Sequence, residues 1–309
     1  MKLNSSIQHN LYGHHEIFNH LCKLYLNNKL PNKILLSGEK GIGKATLGYH
    51  LINFVLSEDE ENSYDIKNNE INLENKSFKL IQNKSNPNFN LIDVAEDKKN
   101  IDINQIRDLI INLNKSSFNK KKRFVLIDNI ELLNLNSINA LLKVLEEPNE
   151  NINFILINNN KRVLPTLKSR CLNFKIFLTN DQSIEIINQL INDDVHNLIN
   201  QDLLNYFITP GKLYELLKLA EDYDLDLKNS NLDIFLKSLI TSKAYKKSKP
   251  IIQLIYSFIE VYFRNNISTK NINLFHHYHY FLKKINDTKI FNLDEETLLM
   301  EFEDKVLNG

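Results

Sequence analysis

Apolar residues are distributed along this chain in two regimes. Up to about residue 178, short continuous apolar runs alternate with stretches of helical period; beyond it Leu, Ile and Phe recur at helical spacing to the end. The continuous runs are Lys33-Ile34-Leu35-Leu36-Ser37, Leu91-Ile92-Asp93-Val94, Phe124-Val125-Leu126-Ile127, Phe154-Ile155-Leu156-Ile157 and the stretch 172–178. Runs apolar on every residue suit parallel strands buried on both faces. Helical stretches fall between them: Ile17, Leu21 and Leu24 after Gly13; Leu47, Leu51, Phe54 and Val55; Ile103, Ile106, Ile110 and Leu113; Ile138, Leu141, Leu142 and Leu145 over 137–147, stopped by Pro148. Asp102 and Gln105 carry the spacing of a capping box ahead of the third stretch. Such alternation predicts an α/β domain over 1–178, a parallel sheet covered by helices on both faces, followed by helical regions over 179–230 and 231–309. Residues 57–90 interrupt it. They are rich in Asn, Glu and Lys, with only a short Phe78-Lys79-Leu80-Ile81 run, and predict a variable, partly mobile insertion.

The glycines sharpen this picture. The chain has seven, and Gly38, Gly41 and Gly43 stand within six residues, in Ser37-Gly38-Glu39-Lys40-Gly41-Ile42-Gly43-Lys44-Ala45-Thr46. The spacing G-x-x-x-x-G-K, between a predicted strand and a predicted helix, is that of a phosphate-binding loop. Glycines let backbone N–H groups turn around a polyphosphate, Lys44 supplies a point charge, and the helix N-terminus favours anions. The position after the lysine ordinarily carries Ser or Thr, whose hydroxyl ligates Mg²⁺; it is Ala45 in this chain, and a methyl group coordinates no metal.

A second group of candidates sits at strand ends. The run 124–127 delivers Asp128 to the edge of the sheet, the place of the acid that helps hold Mg²⁺ in P-loop ATPases. The next residue, where many of them have a glutamate that activates water, is Asn129, and Glu131 lies two further on. The run 154–157 leads into Asn158-Asn159-Asn160, where a polar side chain could touch a γ-phosphate. Lys120-Lys121-Lys122-Arg123 is the densest basic run and reads as a solvated loop in preference to a DNA site. His276-His277-Tyr278-His279-Tyr280 lacks carboxylate or cysteine partners and reads as helix surface and packing, not a metal site.

Composition narrows the classes. Thirty-eight basic residues balance thirty-eight acidic ones in 309 residues, so no global field draws the chain to nucleic acid or membrane. No apolar run approaches the roughly 20 residues that span a bilayer. Cys22 and Cys171 have no metal-ligand spacing, and with no signal peptide they read as free thiols in a reducing cytoplasm.

With the loop, the Asp128 strand, Ala140-Leu141-Leu142-Lys143-Val144-Leu145-Glu146-Glu147-Pro148 and Ser169-Arg170-Cys171 in view, the chain resembles bacterial clamp-loader subunits of the AAA+ class, most of all the delta-prime kind of DNA polymerase III. Tyr12-Gly13-His14 and Lys29-Leu30-Pro31 add to the likeness, which is strong over 11–178. The resemblance implies an AAA+ P-loop domain, a small helical lid over 179–230 and a C-terminal helical oligomerisation collar over 231–309. Position by position, Gly38, Gly41, Gly43 and Lys44 match the loop that binds ATP or ADP, with Ala45 and Thr46 following; Asp128 matches the Walker B acid. Asn158 stands near the sensor after the next strand, Lys212 after Pro210-Gly211 matches the second sensor, and Arg170 matches the arginine finger, which acts in trans on a neighbour's ATP. Implied partners are the gamma/tau ATPase, delta, the sliding clamp and, through the assembled complex, primed DNA. Many relatives carry a four-cysteine zinc module after the loop helix; this chain has no cysteine between Cys22 and Cys171, so zinc is not expected. Ala45 and Asn129 make magnesium binding weak or absent and imply a subunit that does not itself hydrolyse ATP. The alternatives are an active ATPase of the gamma/tau kind, with Thr46 or a water replacing the hydroxyl and Glu131 the base, and a stand-alone P-loop kinase or helicase, which would leave Ser169-Arg170-Cys171 without a role.

Overall fold

The computed structural model describes residues 3–95, 98, 100–115, 119, 121–146, 151–161, 163–204, 209–246, 249–266 and 272–308. The chain divides into two compact units, Lys2–Ile186 with Thr209–Gly211, and Ile187–Ile208 with Lys212–Gly309.

In the first unit the elements follow one another as α1 (His15–Leu26), β1 (Lys33–Ser37), α2 (Lys44–Leu56), α3 (Lys76–Gln82), β2 (Phe89–Ile92), α4 (Ile103–Leu113), β3 (Arg123–Ile127), α5 (Leu135–Glu146), β4 (Ile152–Asn158), α6 (Pro165–Lys168) and β5 (Leu172–Lys175). The five strands form one sheet in the order β2-β3-β4-β1-β5, every pair parallel. Side-chain alternation along each strand divides the apolar runs between two cores. Ile34, Leu36, Phe124, Leu126, Ile155 and Ile157 face a layer built on α1 and α2. Leu35, Val125, Ile127, Phe154 and Leu156 face α4 and α5. Asp102 caps α4 with the reciprocal Gln105 contact of the capping box. The helix predicted over 137–147 is α5, and Glu147 and Pro148 lie outside the described residues.

The segment 57–90 is a packed layer, contrary to the mobile insertion its composition predicts. Apart from the 78–81 run its few apolar residues are widely spaced and carry little periodic signal, yet Tyr64, Ile71, Phe78 and Ile81 are all buried in the cluster around α2. That is why α2 is buried on nearly its whole circumference. Polar ties complete the layer: Asn53 Nδ2 donates to Asn75 Oδ1 at 3.1 Å, Asn75 caps α3, and His50 Nδ1 lies 2.8 Å from the Tyr64 hydroxyl.

Part of the basic run is structural instead of solvated. Arg123 is buried and donates to the carbonyls of Asn112, Leu113 and Lys115, closing the C-terminus of α4. Lys121 Nζ donates to Leu56 O, the last carbonyl of α2, at 3.1 Å. Lys120 lies outside the described residues.

The chain passes from the first unit within α7 (Asn180–Ile191) and leaves it again at the start of α10 (Pro210–Tyr223), after α8 (Val195–Leu198) and α9 (Gln201–Leu204). The second unit continues with α11 (Leu232–Thr241), α12 (Lys249–Asn266), α13 (Ile272–Phe291) and α14 (Glu295–Phe302). Phe235, Phe258, Phe263, Phe281 and Phe302 are fully buried there, with the Phe263, Phe281 and Phe302 rings in mutual contact. Among the described residues, no group of three or more His, Cys, Asp or Glu could hold a metal, and no helix is long and apolar enough to cross a membrane.

Candidate functional site

The site forms where parallel strands end and loops begin, the edge at which open α/β sheets hold ligands. Ser37 pairs in register with Asn158, so the glycine loop leaves β1 directly beside the end of β4. Gly38 N donates to Asn158 O at 3.2 Å, and a Cβ at Gly38 would stand 2.2 Å from Ile176 O, so no other residue fits at the start of the loop. Gly41 and Gly43 both have φ of 89°, the left-handed region that glycine enters without penalty. Gly43 then caps α2, whose first residues are Lys44, Ala45 and Thr46. The methyl of Ala45 packs against the apolar cluster around α2.

Lys44 is only 3% exposed, and Nζ donates to Glu39 O at 2.5 Å, across the mouth of its own loop. Burial lowers its pKa to about 8 against the opposing pull of Asp128, Glu131 and Glu39. Asp128 moves the other way, up to about 6, by burial first and by the neighbouring Asp93 charge second. Asn129 N donates to Asp128 Oδ1 at 2.8 Å. Asp128 is therefore a weakened anion facing a weakened cation.

Beyond it lies a polar chain that sequence spacing does not show. Asn129 takes a left-handed conformation, φ 55°, and its Nδ2 donates to Asp93 Oδ1 at 2.9 Å. Asn159 Nδ2 reaches Asn129 Oδ1 at 2.7 Å and Glu131 Oε1 at 3.1 Å, while Asn159 N donates to Glu131 Oε2 at 3.2 Å. Both Glu131 oxygens are thus occupied by Asn159. Asn158 turns elsewhere: it is buried, and its side chain closes a turn with the backbone of Lys161. Of the three consecutive asparagines, Asn159 carries the link to Asn129 and Glu131, and the triplet itself was the only sequence signal for it.

Arg170 follows α6 and is about one-third exposed. Its Nη1 donates to Thr166 O at 2.8 Å and its Nη2 pairs with Glu146 Oε1 at 2.5 Å. Lys212 is exposed and opens the second unit, directly after Gly211. Cys22 is buried and Cys171 half-buried, both free thiols, with burial pushing them up to about 12 and about 11.

Residues 13–179 match the family described as DNA polymerase III, delta subunit. The chain is 33% identical over 138 residues to the DNA polymerase III subunit delta' of Pseudomonas aeruginosa, 44% of this chain and 40% of that one. It is 31% identical over 157 residues to the DNA polymerase III subunit gamma of Buchnera aphidicola (Schizaphis graminum), 50% of this chain and 41% of that one. These matches span about two fifths of the relatives' lengths. A longer match, 26% identical over 279 residues, joins 86% of this chain to 82% of the delta' subunit of the same Buchnera. Among solved structures, a DNA polymerase III gamma subunit-related protein from Thermotoga maritima shares the fold, with a TM-score of 0.50 at 18% identity over 91% of this chain and 96% of that one.

Proposed function

Since the chain belongs to the DNA polymerase III delta-subunit family of AAA+ clamp-loader proteins, we propose that it is a delta-prime-like subunit that holds a nucleotide without hydrolysing it and offers Arg170 to a neighbouring ATPase. The observation that carries this reading is a cradle kept intact beside chemistry that is missing. Gly41 and Gly43 take the left-handed conformation that such a loop uses, and Lys44 lies buried across its mouth, which supports the binding of a polyphosphate. The metal side does not fit equally well, since Ala45 has no hydroxyl to ligate a cation. The carboxylate nearest a base position, Glu131, has both oxygens bound by Asn159. ATP or ADP would thus bind with magnesium weak or absent, Asn158, Asn159 and Lys212 serving as the sensor candidates.

In the assembly, residues 179–230 would be the lid and 231–309 the collar that joins gamma/tau and delta in a ring that loads the sliding clamp on primed DNA. An arginine presented to a neighbour's γ-phosphate neutralises charge in the transition state. In a ring reconstituted with partner subunits, Arg170→Ala should cut turnover at the adjoining site by about 10³-fold or more and depress clamp loading, while the variant still assembles. Unchanged turnover with normal assembly would leave Arg170 a structural residue only.

A second reading has an observation in its favour, since a gamma subunit is matched at 31% identity, close to the delta' value. It makes the chain an active ATPase of the gamma/tau kind, with Glu131 released from Asn159 as the base. Steady ATP turnover by the purified chain would select it.

A further inference from the structure

A phosphate loop binds through its N–H groups, so its carbonyls must point away and find donors elsewhere. Four successive carbonyls of this loop do so. Glu39 O accepts from Lys44 Nζ at 2.5 Å, Lys40 O from Thr209 Oγ1 at 3.0 Å, Gly41 O from Gly211 N at 2.9 Å, and Ile42 O lies 2.6 Å from His14 Nε2. Only the first donor belongs to the loop motif. The other three come from Tyr12-Gly13-His14 and Thr209-Pro210-Gly211, both parts of the same compact unit as the loop.

The geometry at His14 is costly and specific. His14 follows Gly13, and both have positive φ, 68° and 56°. A non-glycine residue in that region is held there by its surroundings, and such positions cluster where a ligand is clamped. Its ring lies against Gly43, with a Cβ built there 3.8 Å from His14 Cδ2. Since Ile42 O can only accept, Nε2 carries the hydrogen. Burial first, and the His15 and Lys44 charges after it, lower the pKa of His14 against the raising effect of its bond to Ile42, so the ring is a neutral donor. Gly211 approaches as closely as backbone can: a Cβ there would stand 2.7 Å from Gly41 Cα.

We infer that His14 and Thr209 are positioning residues of the nucleotide site, forming with the Gly211 amide an outer brace that turns the carbonyls of residues 40–42 outward and so presets the loop amides for an anionic phosphate. This deepens the nucleotide-cradle reading and rests on it for the ligand, but not for the brace. It gives a physical reason why a loop lacking its metal hydroxyl can still bind: the donors are preorganised by groups outside the motif.

The test compares His14→Asn, His14→Gln, Thr209→Val and wild type, all in the full-length chain. Asn tolerates the left-handed conformation but is too short to reach Ile42 O, whereas the Gln amide nitrogen extends to about the place of Nε2. Two readouts are taken: amide hydrogen exchange of residues 41–44 in the nucleotide-free protein, and binding of a fluorescent ADP analogue without Mg²⁺. His14→Asn and Thr209→Val should each speed exchange and weaken binding by about tenfold, the weight of one hydrogen bond, and His14→Gln should restore both. Exchange unchanged in the first two, or not restored by His14→Gln, would overturn the brace. Should wild type bind no ADP analogue, the cradle reading fails while exchange still decides whether the brace exists.

Discussion

A methyl group at position 45 and an amide at position 129 decide what the residue scale can do. Ala45→Ser would place a hydroxyl at the first turn of α2 where a metal ligand belongs. Nucleotide affinity of that variant should rise by about tenfold on adding Mg²⁺, where wild type changes little; titration with and without the metal checks it. Lys44 sets a pH dependence with a definite sign. Its folded pKa is lowered from 10.5 to about 8, so its charge is lost as pH rises through 8. A polyanion needs that charge, so ADP affinity should fall between about pH 7 and 9, with proton uptake on binding visible by calorimetry in buffers of different ionisation enthalpy. The same shift means that stability of the nucleotide-free protein improves as pH goes from about 8 toward 10.5, because the buried cation is relieved. At this scale the loop and Asp128 were legible because they lie in contiguous motifs. Asn159, Asp93, His14 and Thr209 were not, because their roles depend on contacts across 28 to 169 residues of sequence.

Elements were legible wherever one period ran unbroken. Continuous apolar runs announced β1, β3 and β4, and the Asp102/Gln105 pair announced α4. The layer 57–90 was hidden because Tyr64 and Ile71 join the cluster singly and the Phe78/Ile81 pair spans less than one helical turn, too short a repeat to announce an element. Arg123 looked like part of a charged loop since nothing local says that two carbonyls at the end of α4 and that of Lys115 just beyond it await it. Arg123→Met leaves those carbonyls without their charged donor and should cost about 2 kcal/mol in urea unfolding. Gly38→Ala drives a methyl into Ile176 O, a backbone atom held by the Ile176 N bond to Ser37 O, and should cost about 2 kcal/mol or more by the same measurement. Its effect would reach function as well, because the loop cannot leave β1 on the same path.

Across the whole molecule, the first unit joins the five-stranded parallel sheet to the glycine loop and the strand-end polar residues, with a methyl at Ala45 and both Glu131 oxygens bound by Asn159. Arg170 sits in that unit with its guanidinium paired to Glu146. On the proposed reading, such a subunit would contribute by occupancy and by what it presents to a neighbour. The most direct test is to measure binding and turnover on the same purified chain. A fluorescent ATP analogue should bind saturably, Lys44→Ala should abolish that binding, and phosphate release should stay at the rate of protein-free buffer. Steady phosphate release that disappears in Lys44→Ala would show the site to be a working ATPase and contradict the account.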